Sequence, residues 1–304
     1  MIEEPDASVI IASYNSRETI VACLKSLEEQ RTTGSFEIIV VDSSTDGTSE
    51  LITKEFPEVK LYRYAQRKFP GDARNAGISV AKARIIAFID ADCVAEKNWI
   101  EQILRAHESP YSAIGGAIAN ADPKSFVGWA AYLVEFSQWM PETCVQWQDD
   151  IAAANMSYKK EIFDRCGGFI EGTYCSDTDL HWRLGRDGYR LRFVPSILIS
   201  HKSINRLDRF LKHEFFHGRC FARVRVQGQG FSRCKRWFYV TLAPLIPLRL
   251  FLKIALNNMR NRIYFSEFLK SSPLVALGLI CWSFGESVGY AEDSEKHHGV
   301  VRLS

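Results

Sequence analysis

Two carboxylates one residue apart are the part of this sequence best suited to bind a metal ion. Asp90 and Asp92 follow Ile85–Ile89, a short apolar run that predicts a strand buried on both faces. In open α/β sheets, ligands bind beyond the carboxyl ends of the strands, where these two side chains would lie. Carboxylate oxygens suit Mg²⁺ or Mn²⁺, which commonly bridge to phosphates. The alternative for so short a motif is a solvated turn after a strand.

Two other groups of polar residues lie at the ends of predicted elements, one after a strand and one at the start of a helix. The predicted strand Ile197–Ser200 delivers His201 to the same sheet edge as Asp92, which favours a metal ligand over a structural histidine. Asp177 and Asp179 lie at a predicted helix N-terminus. Helix capping is the structural explanation for these acids, and it suits Asp179 or Ser176 better than Asp177.

Strands and helices alternate through the first two thirds of the chain, which predicts an α/β fold with a doubly wound, mostly parallel sheet and helices on both faces. The predicted strands are Ser8–Ala12, Phe36–Val41, Lys60–Tyr64, Ile85–Ile89, Ile114–Ile118, Ile151–Tyr158 and Ile197–Ser200. The first helix is predicted from Glu18 to Gln30, with Ser16 or Asn15 as its N-cap. One cleft should collect the polar residues near the carboxyl ends of these strands. They are Tyr14, Asn15, Asp42, Arg74, Asp90 and Asp92.

Two nucleotide-binding signatures are absent from the sequence. No G-x-G-x-x-G follows the first strand, and no G-x-x-x-x-G-K-S/T occurs anywhere. Their absence argues against a dinucleotide-binding dehydrogenase and against a P-loop enzyme.

Charge is distributed unevenly along the 304 residues. The formal net charge is +2, yet residues 202–262 hold 14 Lys and Arg against 2 acids, which leaves −10 for the remainder. Such asymmetry predicts an acidic partner for the C-terminal part, either nucleic acid or anionic lipid. The eight cysteines form no C-x-x-C pair and the N-terminus shows no secretory signal, so a reduced, cytosolic compartment is expected.

Six segments together resemble the family-2 inverting glycosyltransferases with a GT-A fold. In the family's order, across about residues 7–202, they are SVIIASYNSRETIVACLKSL, IIVVDSSTDGT, PGDARNAGI, IAFIDADC, GGFIEGTYCSDTDLHWRLGRDGYRLRFVP and ILISH. The resemblance implies a GT-A catalytic domain over residues 1–205. It also implies a nucleoside-diphosphate sugar as donor, with UDP as the expected nucleotide, and Mg²⁺ or Mn²⁺ as cofactor.

The resemblance implies donor-binding roles for four residues. Tyr14, Asn15 and Asp42 would hold the base and ribose of the nucleotide-sugar. Arg74 would contact the donor at its diphosphate.

The resemblance also implies a metal site and a general base. Asp90 would lie near the ribose or the metal, and Asp92 would bind the metal. His201 would complete the metal site or touch the diphosphate. Asp177 would be the general base that activates an acceptor hydroxyl for in-line displacement at the anomeric carbon.

The sequence departs from the family pattern at three positions. Ser176 replaces the first acid of the family's Glu-Asp pair, which leaves Asp177 as the one clear candidate base. Ala12 replaces the usual proline at the end of the first strand, and Asp72 stands where a small residue is common. The sequence offers no account of the last two.

Residues 206–304 form a predicted second region that is helical, basic and apolar. Phe238–Leu256 and Pro273–Ala291 are apolar, but charges or prolines interrupt them, so neither is a clean membrane span. Both fit interfacial helices whose Lys and Arg side chains face anionic headgroups. A helical cap packed on the catalytic domain is the alternative. Nucleic-acid binding is disfavoured because Leu and Ile runs interleave the basic stretch.

Two short motifs lie in this second region. His213–His217, HEFFH, matches the H-E-x-x-H pattern of zinc peptidases, although a basic helix with satisfied histidines is favoured because no third ligand is evident. Arg233–Trp237, RCKRW, is similar to the Q/R-x-x-R-W signature of processive synthases and related lipid glucosyltransferases. A basic flank before an apolar segment explains the second motif equally well.

These features predict a metal-dependent, inverting glycosyltransferase of the hexosyltransferase type in polysaccharide or glycan biosynthesis. Its acceptor would be a saccharide hydroxyl, lipid-linked as in bacterial relatives with similar tails, and its place the cytoplasmic face of the cell membrane. The alternative from another class is a non-catalytic relative that binds nucleotide-sugar or scaffolds an assembly complex. Loss of Asp92 or Asp177 would have favoured that alternative, and both are present.

Overall fold

Strands and helices alternate through the first 200 residues, and helices follow to the end of the part that the computed structural model describes, residues 4–292. The strands are β1 (Ala7–Ser13), β2 (Phe36–Asp42), β3 (Lys60–Arg63), β4 (Ile85–Ile89), β5 (Cys93–Ala95), β6 (Ala113–Asn120), β7 (Gln146–Gln148), β8 (Asn155–Lys159) and β9 (Leu191–His201). The helices are α1 (Ile20–Glu28), α2 (Thr48–Glu55), α3 (Pro70–Val80), α4 (Trp99–His107), α5 (Phe126–Phe136), α6 (Glu161–Cys166), α7 (Ser176–Arg186), α8 (Leu207–Gly228), α9 (Arg233–Leu242), α10 (Ile246–Asn261) and α11 (Phe265–Ala291).

The strands of the described residues form one sheet in the order β3-β2-β1-β4-β8-β6-β9-β5, with β7 paired to β9 outside this path. β1 is parallel to β2 and β4, and β2 is parallel to β3. β8 is antiparallel to both of its neighbours, β4 and β6, while β6 is parallel to β9. β4, β6 and β9 therefore point the same way. The predicted mostly parallel sheet is confirmed, with β8 reversed inside it.

The sheet's central strands are buried because their side chains are apolar on both faces. Phe88 in β4 is fully buried. Its ring meets those of Tyr158, Phe163 and Phe169 edge-on, with centroids 5.5 to 6.3 Å apart. Such edge-to-face pairs add to the free energy of area burial. This packing fixes the end of β4, from which Asp90 emerges.

The N-cap predicted for the first helix is wrong. α1 begins at Ile20, and Thr19 holds the cap position, although its side chain makes no capping hydrogen bond. Asn15 instead adopts a left-handed backbone with φ 51°, and its Oδ1 accepts the backbone N–H of Thr45 at 2.9 Å. Asn tolerates this conformation because its short polar side chain can hydrogen-bond locally.

β9 is one strand where the sequence predicts a shorter one at Ile197–Ser200. Its register against β6 shifts between Gly116 and Ala117, so that Val194 and Leu198 face successive residues of β6. The extra residues of β9 accommodate Pro195, which has no backbone N–H to donate to a neighbouring strand. The Nδ2 of Asn155 donates to the carbonyl of Ile197 at 2.9 Å inside this bulge. β9 thereby continues through to His201.

The described chain divides into two compact units. The first takes in the segment ending at Ala121, Trp139–Glu171 and Leu180–Lys202, and holds the sheet. The second takes in Asp122–Gln138, Gly172–Asp179 and the segment from Ser203 onward. The boundary predicted at residue 205 stays a prediction about domains. The structure groups two earlier segments with the C-terminal helices, and the predicted region's last residues, 293–304, lie outside the described ones.

The second unit is built on close packing of α8 against α11. A Cβ at Gly218 of α8 would meet the carbonyl of Trp282, and one at Gly285 of α11 would meet the carbonyl of Phe215. Glycine is required at both positions because the two backbones touch there. α11 also packs against α5, α9 and α10, which makes it the central helix of this unit.

Two helical stretches of the described residues are long and apolar enough to cross a membrane by length and composition, Arg233–Asn261 and Phe265–Ala291. The first continues through Pro244 and Pro247 because each lies in the first turn of its helix, where an N–H is not needed. In its most apolar window 11% of residues are buried, against 44% in the second. The exposed apolar surface therefore lies mainly on the first stretch.

Candidate active site

Side chains predicted to act together meet at the carboxyl edge of the sheet. Asp42 ends β2, Asp90 directly follows β4, and His201 ends β9. Because these three strands run in the same direction, their carboxyl ends lie at one edge, where open α/β sheets bind ligands. Cys93 of β5 pairs with His201 across an antiparallel ladder, which brings the preceding Asp92 to the same place.

Asp92 and His201 form a group suited to hold a divalent metal ion. Asp92 Oδ1 and His201 Nε2 are 3.5 Å apart, and with Cys93 Sγ these ligand atoms all lie within 4.8 Å of one another. Burial, with Asp92 and Asp90 nearby, raises the pKa of the Cys93 thiol well above its ordinary value, which makes the sulfur the poorest ligand of the three. A carboxylate oxygen and an imidazole nitrogen remain, and Mn²⁺ accepts both donor types. The residues present therefore fit the expected metal.

Arg74 is buried and binds Asp90. Its Nη2 donates to Asp90 Oδ1 at 2.9 Å, and the carbonyl of Ala153 lies 3.5 Å from the same nitrogen. The Arg74 side chain is 4% exposed, against 33% for Asp90. The ion pair joins α3 to the end of β4 and so fixes the direction of the Asp90 carboxylate. Contact between Arg74 and a donor diphosphate stays a prediction.

We expect Arg74→Met to lower the free energy of unfolding by about 2 kcal/mol, because Asp90 loses its partner in a half-buried place. Urea unfolding followed by circular dichroism measures this change. Arg105→Met is the control, since Arg105 pairs with Glu101 while 66% exposed and should cost under about 0.5 kcal/mol. Equal effects of the two substitutions would remove Arg74 from its proposed positioning role.

The Asp42 carboxylate is buried and held by two serine hydroxyls. Asp42 is 1% exposed. Ser44 Oγ donates to its Oδ1 at 2.5 Å, and Ser49 Oγ donates to its Oδ2. Ser44 Oγ also accepts the backbone N–H of Asn15 at 2.7 Å. The residues after β1 and β2 are thus joined into one hydrogen-bonded set, and their contact with a nucleotide stays a prediction.

Tyr14, like the adjacent Asn15, is exposed among the predicted nucleotide-binding residues. Its ring is 39% exposed, and the guanidinium of Arg67 lies 4.3 Å from the ring centroid. An arginine above a tyrosine face is a favourable cation–π arrangement. Sequence reasoning missed Arg67, because nothing in the local pattern links the loop before α3 to the loop after β1.

Asp177 lies in the first turn of α7, half-buried. Cys175, two residues earlier, has a left-handed backbone with φ 59°, and its carbonyl accepts the N–H of Asp179 at 3.4 Å. Leu180 and Leu184 of the same helix are fully buried. The sequence pattern thus places Asp177 on a well-anchored helix, and its role as general base stays a prediction.

A buried polar chain that sequence reasoning missed also anchors α7. His181 is fully buried; its Nε2 lies 2.5 Å from the hydroxyl of Tyr158, and its Nδ1 contacts Asp150 Oδ1. The available signal was a histidine beside Leu180 on the apolar side of an amphipathic helix. Such a side chain needs polar partners when it is buried.

Asp72, which departs from the family pattern, has a structural role. Its Oδ2 accepts the backbone N–H of Phe69 at 3.3 Å, directly before α3. The contact satisfies a donor at the helix start, and the negative charge interacts favourably with the helix dipole there.

The HEFFH segment does not have the geometry of a zinc peptidase. Glu214, which would have to face water as the catalytic base, is fully buried. Among the described residues, the ligand atoms grouped around His213 come from Glu214 and Glu135, and not from His217. The ring of His217 packs against Trp282 instead, with centroids 4.9 Å apart.

The RCKRW segment contacts the end of α11 through Arg236. Arg236 is 8% exposed, and its Nε donates to the carbonyl of Tyr290 at 2.9 Å. Trp237 is 58% exposed. Arg219 and Arg223 likewise bind the Glu292 carboxylate. Part of the basic excess noted in the sequence therefore stabilises the end of α11 and is not available to an outside partner.

The family described as Glycosyl transferase family 2 matches residues 8–170, more than half of the chain. The chain belongs to glycosyl transferase family 2. The matched family-2 range holds Asp42, Arg74, Asp90 and Asp92, and it ends before Asp177.

Known proteins of similar sequence match different shares of the chain. The glycosyltransferase AglE of Haloferax volcanii is 26% identical over 224 residues, 71% of this chain and 72% of that protein. The succinoglycan biosynthesis protein ExoO of Rhizobium meliloti is 32% identical over 125 residues, 41% of this chain and 35% of that protein. The pre-mycofactocin glycosyltransferase of Mycobacterium tuberculosis is 24% identical over 234 residues, 73% of this chain and 48% of that protein.

The fold also resembles a solved structure. The mannosyltransferase PcManGT from Pyrobaculum calidifontis, solved in complex with GDP-Man and Mn²⁺, superposes with a TM-score of 0.56 at 17% identity, over 91% of this chain and 86% of that one. At this identity the likeness concerns the fold. It confirms the predicted GT-A architecture.

Proposed function

We propose that this family-2 protein is a metal-dependent, inverting glycosyltransferase. It would move a hexose from a nucleoside-diphosphate sugar to a hydroxyl of a lipid-linked saccharide at the cytoplasmic face of the cell membrane. The observation that carries the proposal is the approach of Asp92 Oδ1 and His201 Nε2 to 3.5 Å at the carboxyl edge of the sheet. PcManGT was solved with GDP-Man and Mn²⁺, which supports this donor class and a divalent metal. ExoO takes part in succinoglycan biosynthesis, which supports a glycan product.

The proposed reaction is a single displacement at the anomeric carbon. Asp177 takes the proton of the acceptor hydroxyl, and the acceptor oxygen forms its bond to the anomeric carbon. The bond from that carbon to the diphosphate oxygen breaks on the opposite side, which inverts the configuration. Asp92 and His201 would hold the metal ion, whose charge stabilises the departing diphosphate.

The donor's nucleotide is proposed to bind where β1 and β2 end. The exposed ring of Tyr14, backed by Arg67, offers a flat surface on which a base can stack. Asn15 and the buried Asp42 support the neighbouring loop through Ser44. Arg74 would act on the donor through Asp90, which it orients, as well as by its own charge.

A donor panel tests the proposal. The full chain, with Mn²⁺, is incubated with UDP- and GDP-sugars, and release of nucleoside diphosphate is measured. We expect release from one donor class, dependent on the metal and removed by chelation. NMR of the glycoside formed on a lipid-linked acceptor gives the anomeric configuration, and retention of configuration would overturn the inverting mechanism. Donor binding without release by any acceptor fraction would instead favour the non-catalytic alternative.

Membrane association is proposed to use one face of α10. Leu248, Leu252 and Leu256 are each more than half exposed and recur every four residues, so they share one side of the helix. Arg249 and Lys253 are exposed beside them. An apolar stripe with adjacent bases fits a helix lying in the interface of an anionic membrane.

We expect Leu248→Gln with Leu252→Gln to weaken binding to phosphatidylglycerol-containing vesicles about a hundredfold. Two leucines leaving the lipid lose about 3 kcal/mol. Vesicle co-sedimentation measures the change. Val145→Gln is the control, because Val145 is 52% exposed but lies outside this helix. A native protein that ignores such vesicles would show that these helices serve as a cap on the enzyme.

A further inference from the structure

A second group of ligand-type side chains lies in the helical unit, apart from the residues assigned to sugar transfer. Glu135 lies in the last turn of α5, and His213 and Glu214 are adjacent in α8. One ligand atom from each lies within 4.8 Å of the others. Glu135 Oε1 and His213 Nε2 are 3.0 Å apart. This separation is close to the roughly 3.4 Å between two ligands of a tetrahedral zinc ion.

Glu214 is the residue that demands an explanation. It is fully buried, and among the described residues neither of its carboxylate oxygens finds a hydrogen-bond partner. A buried carboxylate without a partner is costly, and buried charges are normally paired or bound to metals. One of its oxygens lies within 4.8 Å of a carboxylate oxygen of Glu135 and a ring nitrogen of His213, and Glu135 brings a second negative charge.

We propose that Glu135, His213 and Glu214 bind a zinc ion that joins α5 to α8. Two carboxylates and one neutral imidazole balance the charge of a divalent cation and give it two oxygen ligands and one nitrogen ligand. Water would take the fourth position, since the His213 side chain is 36% exposed. The ion is structural, because Glu214 is buried away from any substrate. A zinc ion here would also give the HEFFH segment a role, because its first two residues, His213 and Glu214, would bind the metal together with Glu135 from another helix.

Zinc binding by the full chain tests this site. The experiment uses the Asp92→Ala background, which removes the proposed catalytic metal site, and competes Zn²⁺ against a chromophoric chelator. We expect one tight zinc equivalent. Glu214→Gln and Glu135→Gln should each weaken zinc binding more than about 100-fold, since even second-shell changes cost 10- to 100-fold. Asp208→Asn, at an exposed acid of the same helix, should change nothing.

A second reading comes from Co²⁺ in place of Zn²⁺. The visible absorption of bound Co²⁺ should indicate a four-coordinate site with oxygen and nitrogen ligands. His213→Ala should change this spectrum. His213 is partly exposed, so this variant decides the matter even where Glu214→Gln fails to fold. No zinc binding in the Asp92→Ala background, or equal binding by Glu214→Gln, would overturn the proposal and leave Glu214 a neutral acid. Sugar transfer with Mn²⁺ is scored separately, so failure of the zinc site is distinguishable from failure of the proposed activity.

Discussion

Asp177→Asn should lower kcat for sugar transfer by about a thousandfold or more while leaving the dissociation constant of the donor nucleotide unchanged. Asparagine has the shape of aspartate but cannot take the proton of an acceptor hydroxyl, and general bases contribute about 10²- to 10⁴-fold. Product formation gives kcat, and calorimetric titration of the nucleotide with Mn²⁺ gives binding. The substitution separates chemistry from affinity because the proposed base acts on the acceptor.

Asp187→Asn is the matched control for this experiment. Asp187 is exposed just beyond the C-terminal end of the helix that carries Asp177. It should keep native kcat and native nucleotide binding. Should Asp177→Asn lose binding and turnover to the same extent, Asp177 would belong to the framework of the helix, and the general base would have to be sought elsewhere.

Asp92→Ala should remove the Mn²⁺ dependence of donor binding and lower kcat/KM by more than about a thousandfold. The metal would lose its carboxylate ligand, and the departing diphosphate would lose the charge that stabilises it. Titrating the nucleotide with and without Mn²⁺ measures the first effect, and initial rates measure the second. His201→Ala should act in the same direction, because its Nε2 lies 3.5 Å from Asp92 Oδ1.

Glu96→Gln provides the comparison for Asp92. Glu96 is an exposed acid four residues further along the chain, and its carboxylate is not in the group of ligand atoms formed by Asp92, Cys93 and His201. We expect native behaviour from it. Metal-dependent nucleotide binding that survives in Asp92→Ala would take Asp92 out of the metal site.

The sheet could be anticipated because burial leaves a simple mark on the sequence. Runs such as Ile85–Ile89 must be apolar on both faces, and the polar residues that follow them mark where each strand ends. The reversal of β8 could not be anticipated, since the residues of a buried strand are equally apolar in either direction. Pro195 concealed the length of β9, because the bulge that accommodates it depends on β6.

The candidate site divides in the same way. Asp92 and His201 could be paired from the sequence, because they lie at the carboxyl ends of β4 and β9, which run in one direction. The sequence could not reveal that Arg74 is buried against Asp90, or that serine hydroxyls occupy both oxygens of Asp42. These contacts join residues from different elements, and local spacing carries no record of them.

By itself the sequence determined the family-2 architecture and the sheet edge at which the acids gather. Buried strands are apolar runs, and the polar residues after them mark the strand ends. Only the tertiary structure decided which side chains touch. It placed Glu135 against His213 and Glu214, although the two helices are separated by most of the later sheet residues. Helix packing brings these residues together. α11 packs against both α5 and α8, and glycines let α8 and α11 approach closely, although these helices are far apart in the sequence.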